Sequence, residues 1–512
     1  MLKLLHIAPF VRMLLPMLFG IILQKYFFVS HILGGISVAI LLITISYCPY
    51  FNKRYYFRFI FGLGLFILLF FWGVFVQYNS SKNLEWFGTS EIHLYEAVII
   101  EEPVRKPKTL QCKIRIFNTE EDISIINKNA VVYISSDSNS LNLKSGRNLL
   151  LYTSLENAPD YLRKKSVAAI GYVKADEWMG LESDVGQISP YYRMLSFKND
   201  LLFSLRKMIP DLRYYSIAVG LLFGNKENMD KDLRQSFANI GAGHILAVSG
   251  LHFSIIFGMF YVFLSFIGNS LMGRLVKQII LLPSIWGFAC LAGLSPSVIR
   301  AALMMSLWGV GQLLFRRSFS LNTMSATAFC MLLFNPLYLY DIGFQLSFSA
   351  VTSILLINPY LNNLYQTKNK IINYLWQLIA VSISAQLGVL PLSIFYFKQV
   401  PLVFLLTNIC LIPLVTLLLF LIILCLLLHS LFSTSSVVLL LLNKTLECFT
   451  SIIYFLDQLP YRSIDHVNMN IFDLIVSYVL ITGMVLLLIK KRIVYIYILI
   501  VVVLFRLICY LC

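Results

Sequence analysis

Apolar windows long enough to cross a bilayer recur along this chain, and they restrict its fold more than any single motif does. Roughly 20 apolar residues span the hydrocarbon core. Three such windows fall at residues 9–25, 31–48 and 58–77, ahead of a polar stretch. Ten more follow at 237–266, 278–293, 297–315, 322–339, 342–357, 374–397, 401–428, 436–456, 471–489 and 493–511. The two shortest, 278–293 and 342–357, fit half-helices or re-entrant segments as well as full spans. With 58% hydrophobic and 13% charged residues, the chain departs from soluble proteins, which carry about 25% charge. It is therefore expected to be a polytopic α-helical membrane protein of about 11–13 spans. No small-residue cleavage site follows the first window, so that window is read as a retained span and not a signal peptide.

Loop charge orients the spans. Lys53, Arg54 and Arg58 follow the second window. Arg274 with Lys277, Arg316 with Arg317, Lys368 with Lys370, and Lys490, Lys491 and Arg492 follow at alternate crossings. Basic residues collect on the cytoplasmic side. All five clusters predict one topology, with the N-terminus inside and both the polar stretch and the C-terminus outside. Between Tyr78 and Asp200 there are 15 basic and 16 acidic residues; the remainder holds 26 and 9, the source of the net +16. That excess serves orientation, and it also suits an anionic partner.

The polar stretch reads as β structure. Ile92–Ile100, Cys112–Phe117, Ala130–Ser135, Asn148–Thr153 and Val167–Lys174 are short runs rich in Val, Ile, Tyr and Leu, separated by turn-forming residues. Five strands in this length fit a small closed barrel of the oligonucleotide-binding (OB) kind, although periodicity does not separate a barrel from a sandwich. The expected organisation is N-terminal spans (1–77), an inserted extracytoplasmic OB-like domain (78–199), a connector (200–236) and a long membrane domain (237–512). In the connector, Leu201, Leu202, Leu205, Met208 and Ile209 form one face, opposite Arg206 and Lys207, ahead of Pro210. Such a helix lies in the membrane surface or packs between domains. The nine cysteines show no CxxC and no zinc-ligand spacing, so neither disulfides, a metal nor another cofactor is expected.

Polar groups inside apolar windows are the candidate functional residues, because they are costly in hydrocarbon and usually face water, substrate or a packed partner. The run Gly243-His-Ile-Leu-Ala-Val-Ser-Gly-Leu-His252 opens such a window. At helical spacing Ser249 and His252 share a face, and Gly250 permits close backbone approach. His244, Ser249 and His252 either line a path or hydrogen-bond between helices packed through glycines. Ser295 followed by Pro296 reads as a helix cap and first turn. One turn on, Arg300 either grips a phosphate or snorkels to headgroups. Gln345, Gln386 and Asn408 are amides within windows, suited to helix–helix bonds or to a passing strand. Pro391, Pro401 and Pro413 are expected to kink helices. In the β-rich domain, Arg105, Lys106 and Lys108 with Lys113 and Arg115, and then Arg163, Lys164 and Lys165, form basic clusters. Tyr95, Phe117, Tyr152 and Tyr172 offer stacking faces. A solvated basic surface is the alternative meaning of such clusters.

Several blocks occur in a distinctive order. They are Gly220-Leu-Leu-Phe-Gly-Asn-Lys226, Leu233-Arg-Gln-Ser-Phe237, and His244 through His252. Ser295-Pro-Ser-Val-Ile-Arg-Ala301, Phe344-Gln-Leu-Ser-Phe348, and Ala385-Gln-Leu387 with Leu390-Pro391, Asn408 and Pro413 follow. This series resembles the competence domain of the ComEC/Rec2 DNA-uptake channels. Asp160-Tyr161-Leu162 before Gly171-Tyr172 resembles their extracytoplasmic domain. Longer members carry a C-terminal metallo-β-lactamase-like nuclease domain. No His-x-His occurs here, so the chain is read as a form lacking that domain, without catalytic residues.

The resemblance implies an inner-membrane channel that admits single-stranded DNA to the cytoplasm during natural transformation. The implied partners are the strand itself, the lipid bilayer, a periplasmic DNA receptor, a separate nuclease or strand-separating activity, and a cytoplasmic helicase or translocase. No GxxxxGK[ST] loop is present, so the driving force would come from such partners. Two other classes compete. A secondary transporter or lipid flippase would need coupling carboxylates in its spans, and Asp341 and Asp473 lie only at span ends. An intramembrane hydrolase built on Ser249 would need an adjacent base, and His252, three residues on along a helix, is poorly placed to serve.

Overall fold

The computed structural model describes residues 8–27, isolated positions from 34 to 43, 58–86, 88, 91–120, 125–137, 140, 143–181, 190–225, 229–268, 270–314, 320–431 and 436–490. The window at 493–511, most of that at 31–48, and the basic residues Lys53, Arg54, Arg316, Arg317, Lys491 and Arg492 lie outside them. The helices are α1 (Pro9–Tyr26), α2 (Arg58–Leu84), α3 (Asp160–Arg163), α4 (Pro190–Met208), α5 (Leu212–Phe223), α6 (Lys231–Asn239), α7 (Gly250–Phe263) and α8 (Leu271–Leu291). There follow α9 (Pro296–Leu313), α10 (Ser320–Phe334), α11 (Ile342–Asn362), α12 (Lys370–Phe397), α13 (Phe404–Leu431), α14 (Ser436–Asp457) and α15 (Ile471–Lys490). Among the described residues, six helical stretches are long and apolar enough to cross a membrane: Gly62–Leu84, Leu271–Leu291, Ile342–Asn362, Lys370–Phe397, Phe404–His429 and Val437–Asp457. The chain is a polytopic helical membrane protein carrying a sheet domain.

Four sequence expectations need correction. The window 237–266 is no single span, because the chain leaves α6 at Asn239 and re-enters a helix only at Gly250. The window 322–339 breaks at Asn335, whose side chain caps a short 3₁₀ turn, Pro336–Tyr340. Residues 278–293 belong to a longer helix that begins at Leu271, so Arg274 and Lys277 sit in its first two turns and not in a loop. Pro401 kinks no helix; it lies in a two-residue strand, β9 (Val400–Pro401), paired with β10 (Ser463–Ile464).

The chain forms two compact units, residues 1–200 with 269–341 and residues 201–268 with 342–512. In the first unit, α1 and α2 pack through glycine. A Cβ on Gly20 would fall 2.0 Å from the Phe70 carbonyl oxygen, and one on Gly73 2.4 Å from that of Met17. Small residues allow this approach where lipid supplies no hydrophobic drive between helices.

The sheet domain comprises β1 (His93–Ile99), β2 (Val104–Arg105), β3 (Thr109–Thr119), β4 (Asn129–Ser135), β5 (Asn148–Thr153), β6 (Leu155–Asn157), β7 (Ala169–Val173) and β8 (Trp178–Leu181). Pairing runs β6-β7-β4-β3-β1-β5-β8, with β2 on β3. The ladder is antiparallel except between β4 and β7. The expected closed five-stranded barrel is thus replaced by an eight-stranded sheet whose end strands, β6 and β8, share no ladder. β5 and β6 are separated by Ser154 alone, so this stretch pairs first with β1 and then with β7. Alternation places Tyr95, Ala97, Ile99, Cys112, Ile114, Ile116, Val132 and Leu149 in one core.

In the second unit, the motif around Ser347 and that around Gln386 flank one helix–helix seam. Ser353 Oγ donates to the Ser384 carbonyl at 2.6 Å, Ser349 Oγ to that of Gly388, and Tyr478 OH to the same oxygen at 2.8 Å. A polar knot ties α6 to the end of α14. Asp457 accepts from Ser236 Oγ and Asn239 Nδ2, each at 2.8 Å, and pairs with Arg462 Nε at 3.0 Å.

Two tests follow. Removing the Asp457 carboxylate orphans the buried Ser236 and Asn239 donors, so Asp457→Ala is expected to cost roughly 2–4 kcal/mol, read as a lower melting temperature in detergent. An unchanged melting temperature would show the knot carries no stability. Burial pushes the Cys112 thiol up to about 12. With the thiolate suppressed at neutral pH, Cys112 should resist alkylation in the folded chain and react only after denaturation.

Candidate functional site

Three of the motif blocks converge on the irregular segment 240–249, between α6 and α7. Gly241 adopts φ +75°, and a Cβ there would meet Pro401 at 2.9 Å, so glycine alone makes this turn. The Ala242 amide donates to the Phe237 carbonyl at 2.8 Å, and Thr407 Oγ1 donates to that of Ile240 at 3.0 Å. Ile245, Leu246 and Val248 are buried anchors. Leu246 packs over Gly220, and Val248 over Gly224, itself at φ +72° where α5 ends. Buried backbone polar groups need partners within the protein, and this segment finds several in α6 and α13.

Gly243, His244 and Ala247 remain exposed. His244 Nδ1 lies 3.0 Å from the Gly241 carbonyl; a carbonyl only accepts, so Nδ1 carries the proton and Nε2 is the ring's acceptor. Ser249 is not on a helix face with His252 but is the extended N-cap of α7, with Gly250 the first helical residue. Its Oγ accepts from the Leu251 amide at 3.2 Å. His252, at the third helical position, accepts the Ser249 amide on Nδ1 at 3.1 Å. This is a capping box with imidazole where Glu or Gln usually stands. Ser249 Oγ also lies 3.1 Å from that Nδ1, so the imidazole stands within reach of the hydroxyl, contrary to the sequence expectation that His252 is poorly placed. Nδ1 is an acceptor and the ring is neutral, so the proton sits on Nε2. That atom is buried and has no hydrogen-bond partner among the described residues.

The other predicted residues are spread over both units. In the first unit, Ser295 caps α9 and Pro296 is its first residue, as expected, but the Ser295 hydroxyl meets Ser297 Oγ at 3.2 Å and no backbone amide. Arg300 is only 6% exposed, so it does not snorkel along lipid; its guanidinium is enclosed by protein. In the second unit, Gln345 accepts from Tyr396 OH at 2.7 Å, a bond between α11 and α12. Gln386 is half-buried on α12. Asn408 is half-buried on α13, and its Oδ1 is enclosed with no partner among the described residues.

On the sheet domain, Tyr95 is fully buried and offers no stacking face, because it points to the inner side of β1. Phe117, Tyr152 and Tyr172 are exposed. The sequence reading missed Tyr133 and Tyr161. Tyr133 sits opposite Tyr172 in the parallel β4–β7 ladder, and their rings stack at 5.3 Å and 20°. Burial first, then the neighbouring Tyr161 and Tyr172, holds the Tyr133 hydroxyl above its ordinary value. Tyr161, beside the basic run, is exposed. Strand alternation was the signal available for Tyr133; what separates it from Tyr95 is which face is covered. Arg105, Lys106, Lys108, Arg115, Lys164 and Lys165 are exposed, and Arg163 is half-buried. Lys113 is engaged by Glu101 at 2.6 Å, and Arg115 Nε donates to Asn129 at 3.2 Å.

The sequence reading also judged the spans nearly free of acidic residues. α14 nonetheless holds Lys444 and Glu447 at 2.8 Å, within one turn of its middle.

The competence protein family model matches residues 221–491, just over half of the chain. ComE operon protein 3 of Bacillus subtilis is 30% identical over 226 residues, 44% of this chain and 28% of that protein. Recombination protein 2 of Haemophilus influenzae is 23% identical over 266 residues, 50% of this chain and 32% of that protein. An uncharacterized protein of Aquifex aeolicus is 32% identical over 164 residues, 32% of this chain and 38% of that protein. The chain therefore spans about a third of the length of the curated relatives it matches. No solved structure matches it.

Because Gly241 needs a positive φ against Pro401, Gly241→Ala should cost about 1–2 kcal/mol or more and loosen segment 240–249. Limited proteolysis in detergent checks this; cleavage no faster than wild type would mean the turn is not what holds the segment.

Proposed function

Because the chain belongs to the competence protein family, we propose that it forms the cytoplasmic-membrane passage through which single-stranded DNA enters the cell during natural transformation. The observation that carries this reading is the unwound segment 240–249, set in an apolar window between helices of nine and fourteen residues. Irregular backbone at membrane depth is tolerated where it is buried in protein or borders water. Segment 240–249 is anchored by buried Ile245, Leu246 and Val248, and its exposed residues Gly243, His244 and Ala247 are proposed to border water. A strand carries one charge per nucleotide, so its route needs water and polar donors. His244, the cap pair Ser249 and His252 at Gly250, Ser295 with Arg300, and the amides of Gln345, Gln386 and Asn408 are proposed as its lining or as the groups that shape it.

In this proposal the sheet domain is OB-like and meets the strand first. Its pairing order supports that reading. β1, β3, β4 and β7 are neighbours in turn, and the β5–β6 stretch bridges β7 to β1. Exposed Tyr161 and Tyr172, the latter stacked on half-buried Tyr133, offer rings beside the basic run Arg163, Lys164 and Lys165, the combination that binds single strands without sequence preference. The N-terminus is placed in the cytoplasm, with the sheet domain and C-terminus outside. A receptor, a nuclease or strand-separating activity and a motor would be separate proteins, and the chain itself is proposed to carry out no catalysis. Ser249 fits that view as the cap of α7, with His252 completing its capping box.

The secondary-transporter or flippase reading gains from one observation, the Glu447 carboxylate within a span. Uptake of labelled double-stranded DNA separates the two. In a strain lacking this gene, label should still reach the nuclease-protected outer compartment, while entry to the cytoplasm is abolished. Unaffected cytoplasmic entry sinks the channel reading. In the wild-type background His244→Ala should lower entry at unchanged protein level, because its ring is exposed. His252→Ala, which removes a buried cap, should instead lower the amount of folded protein.

A further inference from the structure

We infer that one face of α14, carrying Lys444, Glu447 and Ser451, borders water in the middle of the membrane and forms part of the wall of a hydrated passage. The apolar window Val437–Asp457 is long enough to span. At 1.5 Å per residue, Lys444 lies about 10 Å from one end and Glu447 about 15 Å from the other. The pair therefore sits deep in the hydrocarbon. Lys444 Nζ meets Glu447 Oε2 at 2.8 Å, yet the two side chains remain 68% and 51% exposed. On a soluble helix such a pair would mean little. Facing lipid it is costly, and ionisable residues in spans characteristically face water or a protein partner. Lysine escapes that cost by stretching to the headgroups, but here the ammonium is tied to a carboxylate that cannot follow it.

The polar surface continues along the helix. Ser451 is exposed one turn beyond Glu447, and Tyr454 follows. Across from them stands the start of α5, where Asp211 caps the helix by accepting the Arg213 amide at 2.8 Å. Asp211, Arg213, Tyr214, Glu447, Thr450, Ser451 and Tyr454 enclose a cleft of about 270 Å³. At ~30 Å³ per water that is room for several molecules among polar partners. α5 has only twelve residues, with Tyr215 through Phe223 buried. At 1.5 Å per residue it extends about 18 Å, too short to cross a ~30 Å core. A buried half-helix opening beside the middle of a full span is the arrangement found at transport sites. The inference rests on the proposed DNA route only for what travels along this face, not for the water.

Thiol accessibility in membranes tests it without any nucleic acid. In a cysteine-free chain, Ser451→Cys, Glu447→Cys and the control Leu417→Cys, from the exposed apolar side of α13, are treated with a charged, membrane-impermeant methanethiosulfonate. Only the thiolate reacts, and a lipid-facing thiol stays protonated. Ser451→Cys and Glu447→Cys should therefore react about tenfold faster than Leu417→Cys, or more. Each variant is first required to elute from gel filtration as the parent does; Ser451→Cys is close to isosteric, so one reporter keeps the native pair. Rates equal to that of Leu417→Cys would overturn the inference. So would efficient Ser451→Cys disulfide dimers that exclude the reagent, which would assign the face to a second copy. Fast labelling in a chain that fails the uptake assay would remove the DNA reading and leave the hydrated wall standing.

Discussion

Hydrocarbon cannot hydrogen-bond a broken backbone, and the second unit is organised around that constraint. Where the chain leaves α6, several of the groups it frees are answered by protein. Thr407 takes the Ile240 carbonyl, the Phe237 carbonyl takes the Ala242 amide, and Ser249 with His252 closes the start of α7. Glycine at 241 and 224 permits the two tight approaches, against Pro401 and Val248. Segment 240–249 can be irregular because its surroundings are so fully specified. The same arrangement leaves His244 facing outward.

Elsewhere the fold meets the same constraint with small residues. Ser349, Ser353, Ser384 and Gly388 bring α11 and α12 close enough to share backbone carbonyls, and Gly20 with Gly73 does this for α1 and α2. Asp457 gathers donors from α6 and from the following turn. These contacts account for much of the motif content. Ser236 of the second block serves Asp457, Gln345 serves Tyr396, and the glycines of the first block seat Leu246 and Val248. Many polar residues of the blocks are therefore positioning groups for the backbone path.

The sheet domain obeys a different rule. Water covers its outer side, so alternation alone sorts core from surface. Tyr95 and Tyr172 look alike in sequence, yet one is sealed in the core and the other stacks on Tyr133 in the open. Their difference follows from register: the antiparallel pairing of β1 with β3 and β5 sets Tyr95, and the parallel β4–β7 pairing sets Tyr172 opposite Tyr133.

Hydropathy and strand alternation are local, so the sequence alone determined the membrane class, the inserted β-rich region and the ordered blocks that identify the family. The cap position at Ser295 was legible for the same reason, whereas Ser249, expected on a helix face with His252, proved to be a cap. What only tertiary structure decided depends on partners far along the chain. The break at Gly241 needs Pro401, 160 residues away. The enclosure of Arg300 and the bond from Tyr396 to Gln345 need packed neighbours. The exposure of Lys444 and Glu447 depends on where the other helices stop. A window average counts apolar side chains within one segment, whereas a broken helix or a wet face is set by what the rest of the fold places beside it.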